Sequence, residues 1–129
     1  MANILVIEDD ELLRLTLEDR LLMEGFIVLT AADGAEGLRQ AREQLPDLIL
    51  CDIMMPVMDG YAVLQALQKE TRTTRIPFVF LTASSDPLQI RAGLDLGATD
   101  YLCKPVPKTK LLTTIQHCLE NQNPPGHEP

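Results

Sequence analysis

Short, continuous apolar runs that alternate with longer amphipathic segments constrain this chain more than any other feature of its sequence. Four such runs lie at residues 4–7, 48–51, 78–81 and 101–103, and a more mixed fifth run lies at residues 26–30. An uninterrupted apolar run indicates a strand covered on both faces, because a strand with one solvated face would alternate. The pattern therefore predicts a parallel sheet with helices on both sides.

The segments between these runs carry signals of helix starts and ends. Leu13, Leu17 and Leu21 recur every four residues before Gly25, as expected for a helix with one apolar face and a glycine after its last turn. N-cap residues, a capping box and prolines mark the other helices. These signals lie at Asp33 with Glu36, Pro46, Asp59, Asp86-Pro87, Gly97 and Pro107.

Five alternations of strand and helix predict a doubly wound α/β domain with right-handed crossovers. With 46% hydrophobic residues, the chain has enough apolar side chains for one core without disulfides. We expect residues 1–120 to form this single domain. Residues 121–129 lack an apolar period and are rich in proline, so we expect a disordered tail or the start of an interdomain linker.

The balance of charge and the cysteines exclude several classes of function. A net charge of −8 argues against direct binding of nucleic acid or of an anionic membrane. No apolar run is long enough to span a membrane and the first residues lack a basic signal region, so we expect a cytoplasmic protein. We interpret Cys51, Cys103 and Cys118 as reduced packing residues, and His117 beside Cys118 as no metal site.

Polar side chains follow four of the predicted strands directly. In an open α/β sheet the carboxyl ends of the strands meet at one functional crevice. Neighbouring carboxylates repel one another and need a cation, and hard oxygen ligands suit Mg²⁺. A carboxylate beside the metal can attack phosphorus while a lysine offsets charge on the transferred group. The side chains concerned are Glu8, Asp9 and Asp10, then Asp52, Thr82 and Lys104.

The order and spacing of these motifs are similar to those of the response-regulator receiver family of two-component signalling. Thr82 follows Asp52 by 30 residues, and Lys104 follows Thr82 by 22. The resemblance covers residues from about 3 to 119. It implies a flavodoxin-like sheet of five parallel strands in the order 2-1-3-4-5 with five helices. The matching pieces are ILVIEDD at 4–10, LCDIMMPVMDG at 50–60, LTA at 81–83, GATDY at 97–101 and KP at 104–105.

By this resemblance Asp52 is the phosphoacceptor and shares a magnesium ion with the other acids. Asp9 would be a direct ligand, Glu8 would hold a metal-bound water, and Met54 would supply its backbone carbonyl. Thr82 and Lys104 would contact the phosphoryl group. Asp10 extends the acidic edge, although acids here could also simply cap the first helix.

The resemblance also implies a switch and its partners. A cis peptide between Lys104 and Pro105 would aim the lysine inward. On phosphorylation Thr82 would move and Tyr101 would turn, although Tyr101 could also be plain core. The phosphoryl donor would be a histidine kinase or a phosphotransfer protein. The face formed by the fourth helix, fifth strand and fifth helix would bind an effector or a second copy. The chain would be no enzyme, although it would supply the groups for its own phosphorylation and slow autodephosphorylation.

Other functions remain open at this point. The chain could be a pseudo-receiver that binds partners without phosphorylation, or the receiver part of a longer regulator or hybrid kinase. A magnesium phosphohydrolase would need an acid two residues after the nucleophile, where this chain has Met54. A flavin-binding electron carrier of the same sheet order would need a first loop that holds phosphate, whereas the loop here is acidic.

Overall fold

A five-stranded parallel sheet forms the centre of the structure, a computed structural model that describes residues 1–121. Numbered along the chain, the strands lie in the order 2-1-3-4-5, as the resemblance implied. The strands are β1 (Asn3–Ile7), β2 (Ile27–Ala31), β3 (Leu48–Asp52), β4 (Phe78–Thr82) and β5 (Asp100–Cys103). The helices are α1 (Glu11–Met23), α2 (Gly34–Gln44), α3 (Gly60–Gln68), α4 (Pro87–Asp95) and α5 (Lys108–Glu120).

Helices cover both faces of the sheet, and β1 shows how its residues divide between them. Ile4 and Val6 join the core on the side of α1 and α5, while Leu5 and Ile7 join the core on the side of α2 and α3. All four side chains are buried. The apolar runs of β1, β3 and β4 were therefore correctly interpreted as strands buried on both faces, whereas the run at residues 101–103 forms the edge strand β5, in which only Leu102 is buried.

Helix starts agree with the sequence signals because the capping residues act locally. Asp33, Asp59 and Asp86 each accept a hydrogen bond from a backbone N–H in the first turn that follows, and Pro87 occupies the first turn of α4. The capping box is only half formed, since the Glu36 carboxylate pairs with Arg39 of the next turn. Pro107 precedes α5 without a side-chain cap.

The second strand begins one residue later than its apolar run suggested. Phe26 belongs to the turn that closes α1, where its N–H donates to the Leu21 carbonyl at 3.2 Å. Gly25 makes this turn possible with φ of +92°. The apolar character of Phe26 comes from packing on the side of α1 and α5, which does not require a strand.

None of the helices in residues 1–121 is long and apolar enough to cross a membrane. The tail was predicted for residues 121–129; its first residue, Asn121, is the C-cap of α5, and residues 122–129 lie outside the described residues. The division into a domain and a tail therefore stays a prediction.

Candidate functional site

Three carboxylates meet where β1 and β3 end. Glu8, Asp9 and Asp52 each offer an oxygen, and these oxygens lie within 4.8 Å of one another. Glu8 and Asp52 are buried, with 0% and 3% of their surface exposed, whereas Asp9 faces solvent. Two buried acids and one exposed acid form a cluster that is open to an approaching ligand on one side.

Lys104, directly after β5, brings a positive charge to this cluster. Its Nζ lies 3.0 Å from Glu8 Oε1 and 3.1 Å from Asp52 Oδ1. Burial opposes the charged form of the lysine, but the two carboxylates outweigh it and raise the pKa of Lys104 above its ordinary value. One ammonium thus bridges acids that come from two other strands.

The cluster still has an excess of negative charge. Burial, together with the charge of Asp52, raises the pKa of the Glu8 carboxyl to about 7. Hydrogen bonds from the Asp10 N–H and from the Lys104 ammonium lower this pKa and offset part of the shift. The contact of the buried Glu8 Oε1 is with the Lys104 ammonium, which this oxygen shares with Asp52 Oδ1. Three carboxylates that share one ammonium fit a site for a hard divalent cation.

Asp10 has a different task from its two neighbours. Its carboxylate accepts a hydrogen bond from Leu13 N–H at 3.0 Å and caps α1. Its own N–H donates to Glu8 Oε2 at 3.1 Å. The capping alternative is therefore right for Asp10, and this capping helps to orient Glu8.

The backbone around Asp52 is tightly confined by α3. The N–H of Met54 lies 3.4 Å from Asp52 Oδ1, and Gly60 N–H donates to the Ile53 carbonyl at 2.8 Å. A Cβ at Gly60 would lie 2.5 Å from the Asp52 carbonyl oxygen. Only glycine lets α3 begin so close to the strand end that carries Asp52.

Thr82 and Tyr101 occupy the positions expected of them, at the end of β4 and within β5. The Thr82 hydroxyl accepts from Ser84 N–H at 3.0 Å and lies 3.2 Å from the Ser84 carbonyl. Tyr101 is half-buried and packs against the core on the side of α2 and α3. The peptide between Lys104 and Pro105 is cis, as the resemblance implied.

Two arginines near the site were missed by the sequence analysis. Arg14 donates to the Glu8 carbonyl at 2.8 Å, and Arg20 donates to the Val106 carbonyl at 2.7 Å. Both lie on α1, each three residues from the buried Leu17, beside the face that meets the sheet. Basic residues next to an apolar helix face, in an acidic chain, were the available signal.

Burial of Cys51 and Cys118 agrees with their interpretation as packing residues, while Cys103 is half-buried. Cys51, Cys103 and Cys118 are free thiols, and burial raises the pKa of both Cys51 and Cys118. His117 Nε2 lies 2.9 Å from the side-chain amide of Asn121.

Comparisons with known proteins agree with this geometry. Residues 4–116 match a family model described as the response regulator receiver domain. The transcriptional regulatory protein AfsQ1 of Streptomyces coelicolor is 44% identical over 106 residues, which are 82% of this chain and 46% of the relative. This chain spans about half the length of the curated relatives it matches.

Solved structures give the same result for the fold. Chemotaxis protein CheY4 of Vibrio cholerae has a TM-score of 0.88 and 34% identity, covering 92% of this chain and 99% of that one. The receiver domain of sensor histidine kinase PA1611 of Pseudomonas aeruginosa has a TM-score of 0.86 and 31% identity, covering 92% and 98%. That structure contains a magnesium ion coordinated in its active site cleft.

Proposed function

This chain belongs to the response regulator receiver family, and we propose that its Asp52 accepts a phosphoryl group from the phosphohistidine of a histidine kinase or of a phosphotransfer protein. The observation that carries the proposal is the meeting of Glu8, Asp9 and Asp52 with the Lys104 ammonium at one end of the sheet. A receiver is a signalling module, and the sequence expectation of a cytoplasmic location goes with that role.

The acidic cluster fits Mg²⁺ as the cofactor of this transfer. Asp9 and Asp52 would bind the ion directly, Glu8 would hold a water on it, and Met54 would offer its backbone carbonyl. The presence of three carboxylates around a single ammonium supports such a site, as does the magnesium ion in the similar PA1611 receiver. When bound, the ion offsets negative charge on the phosphoryl oxygens.

The chain's own groups have separate tasks in the transfer. An oxygen of the Asp52 carboxylate forms a bond to phosphorus, while the bond from phosphorus to the donor imidazole breaks and its electron pair leaves with the nitrogen. Lys104, already 3.1 Å from Asp52 Oδ1, neutralises charge on the transferred group. Thr82 donates its hydroxyl to the product, which requires it to leave its contacts with Ser84.

We also propose that the signal leaves through the face formed by α4, β5 and α5. Movement of Thr82 towards the phosphoryl oxygens would favour the inward position of the half-buried Tyr101. That face would then bind an effector or a second copy of the chain. Amide shifts with and without beryllofluoride test this switch, and changes that stop short of Tyr101 and α4 would refute it.

AfsQ1 is a transcriptional regulatory protein, which makes transcription a candidate output of a longer protein. Any contact with DNA would need another domain, because this one has a net charge of −8. We include slow autodephosphorylation of Asp52 in the same proposal, with Met54 and Ser84 on either side of the path of the attacking water.

Incubation with acetyl phosphate and Mg²⁺, followed by intact mass analysis, tests the phosphoacceptor directly. Wild type should gain one phosphoryl group and Asp52→Asn none, because an amide is not a nucleophile towards phosphorus. Asp33→Asn is the matched control, since asparagine caps a helix as well as aspartate does. Labelling of Asp52→Asn would refute the assignment, and a wild type that is never labelled would favour the pseudo-receiver.

A further inference from the structure

Arg20 links α1 to the segment that follows Lys104. Its Nη1 donates to the Val106 carbonyl at 2.7 Å across 86 residues of sequence. Val106 lies two residues after Lys104, in the connection between β5 and α5, and its side chain is buried. We propose that Arg20 is a positioning residue, which fixes this connection so that the Lys104 ammonium stays between Glu8 and Asp52.

The connection has few hydrogen-bond donors of its own. Its sequence is Lys-Pro-Val-Pro at residues 104–107, and neither proline has a backbone N–H. Lys104 N–H donates to the Thr82 carbonyl at 2.8 Å, which holds the segment at its first residue. At its other end, Pro107 precedes α5 without a side-chain cap. A hydrogen-bond donor from outside the segment therefore contributes more to holding this connection in place than it would in a loop rich in N–H groups.

Arg20 is well placed to supply that donor because its helix is fixed against the same core. Leu17 and Leu21, on either side of Arg20 along α1, are buried in one cluster with Val106 and Leu111. Within residues 1–121, a second polar link between α1 and this region joins Lys108 and Glu24 at 3.8 Å. That pair is exposed and contributes little, so the half-buried Arg20 bond is the stronger link.

Small displacements of the connection would be felt at the site. The Lys104 ammonium must stay near carboxylates of two different strands, at 3.0 and 3.1 Å. Charge stabilisation of a transferred group depends on groups held in place beforehand. This inference rests on the proposed phosphoryl transfer to Asp52, and it adds a residue that contacts neither the metal ligands nor the nucleophile.

Two substitutions at Arg20 and one control separate this role from packing and charge. Arg20→Met keeps a long apolar stem but has no donor, while Arg20→Lys keeps a charged donor. Arg72→Met removes an exposed arginine between α3 and β4, outside the site and outside the face formed by α4, β5 and α5. For each variant, Mg²⁺ affinity is measured by NMR titration, and the rate of labelling by acetyl phosphate is measured at saturating Mg²⁺.

We expect Arg20→Met to bind Mg²⁺ at least as tightly as wild type, because the three acids are intact, yet to be labelled about tenfold more slowly. Arg20→Lys should recover most of the rate, and Arg72→Met should match wild type. An unchanged rate in Arg20→Met would overturn the proposal. So would a parallel loss of Mg²⁺ affinity, or an equal loss of rate in Arg72→Met.

Resonances of Lys104 and Val106 give a readout that does not depend on phosphorylation. In the metal-free protein, Arg20→Met should shift the Lys104 side-chain and Val106 amide signals, and Arg20→Lys should restore them. If these signals stay in place, the positioning role fails whatever the rates show. If they shift but wild type is never labelled, the positioning role stands and the proposed function fails.

Discussion

Val57 shows how a single residue can hold strain beside the site. It lies at the tip of the loop between Asp52 and α3, fully exposed and with φ of +70°. The Met58 N–H donates to the Pro56 carbonyl at 2.8 Å, which makes Val57 the centre of a tight three-residue turn. A β-branched residue in this conformation is disfavoured by about 1–2 kcal/mol.

Val57→Gly should therefore stabilise the protein. The free energy gained by relief of the dihedral strain exceeds the free-energy cost of the extra entropy that glycine gives the unfolded chain. The exposed side chain of Val57 makes no packing contribution that would be lost. We therefore expect the free energy of unfolding to increase by about 1 kcal/mol. Urea unfolding measures it. Val57→Ala keeps a Cβ and should gain less, and a Val57→Gly protein that is no more stable than wild type would show that the turn is not strained.

The cysteines differ in reactivity because they differ in burial. Burial raises the pKa of Cys118 to about 11, with help from the charge of Asp100, and only 1% of this residue is exposed. Cys51 is fully buried and its pKa is also raised. At pH 8 we expect a thiol reagent to modify the half-buried Cys103 first, and Cys51 and Cys118 only in denaturant.

Ellman's reagent can count these thiols with time. Cys103→Ser should abolish the reaction of the native protein and leave two thiols that react after unfolding. Rapid reaction of Cys103→Ser without denaturant would mean that the core around Cys51 or Cys118 opens more readily than its packing suggests.

At the scale of secondary structure, the contact between α3 and β3 is closer than most helix and strand contacts allow. It depends on Gly60, where a Cβ would meet the backbone of Asp52 and Ile53. Backbone atoms cannot move aside as the end of a side chain can. A larger residue must therefore push the first turn of α3 away from the strand that carries Asp52.

Gly60→Ala should lower both stability and the rate of phosphorylation. Alanine favours a helix over glycine by about 1 kcal/mol, but overpacking costs about 1–3 kcal/mol. The added Cβ would lie only 2.5 Å from the Asp52 carbonyl oxygen, which places the cost at the upper end of that range. Gly25→Ala is a useful comparison, since its Cβ would meet only Met1 at 3.9 Å while φ is +92°. It should lose stability through strain alone and keep the wild-type rate of labelling.

Local signals explain which elements could be predicted from the sequence. The starts of α2, α3 and α4 were predictable because an aspartate caps each helix within its own turn. The acidic cluster was predictable because parallel strands end at the same edge. The role of Arg20 was not, since its acceptor is the backbone carbonyl of Val106, 86 residues away, whose position depends on the whole fold. The turn at Val57 likewise has no sequence signal, because valine normally avoids it.

At the scale of the whole molecule, stability and metal binding are coupled through the acidic cluster. Folding brings the oxygens of Glu8, Asp9 and Asp52 together, and Lys104 alone does not neutralise them. A cation that binds only the folded state stabilises it by mass action.

Mg²⁺ should therefore raise the melting temperature. At ten times the dissociation constant the gain is about 1.4 kcal/mol, or roughly 5 °C for a domain of this size. In Asp9→Ala, Mg²⁺ should no longer raise the melting temperature. Without metal, Asp9→Ala should melt at a higher temperature than wild type, because one repelling carboxylate is gone. Calorimetry at constant ionic strength measures both. Asp19 is an exposed acid of α1, so Asp19→Ala should keep the rise in melting temperature with Mg²⁺. If Asp9→Ala also keeps this rise, the ligand assignment is wrong.

The strand order also has a consequence for synthesis on the ribosome. The first 52 residues contain the three adjacent strands β2, β1 and β3, with α1 for one face of the sheet and α2 for the other. This half can begin to collapse while the rest of the chain is still being translated. It already carries all three acids of the cluster, whereas their counter-charge, Lys104, follows the last strand to be made. The nascent domain thus holds an unneutralised cluster until its edge strand docks, so free Mg²⁺ in the cell should assist the late steps of folding.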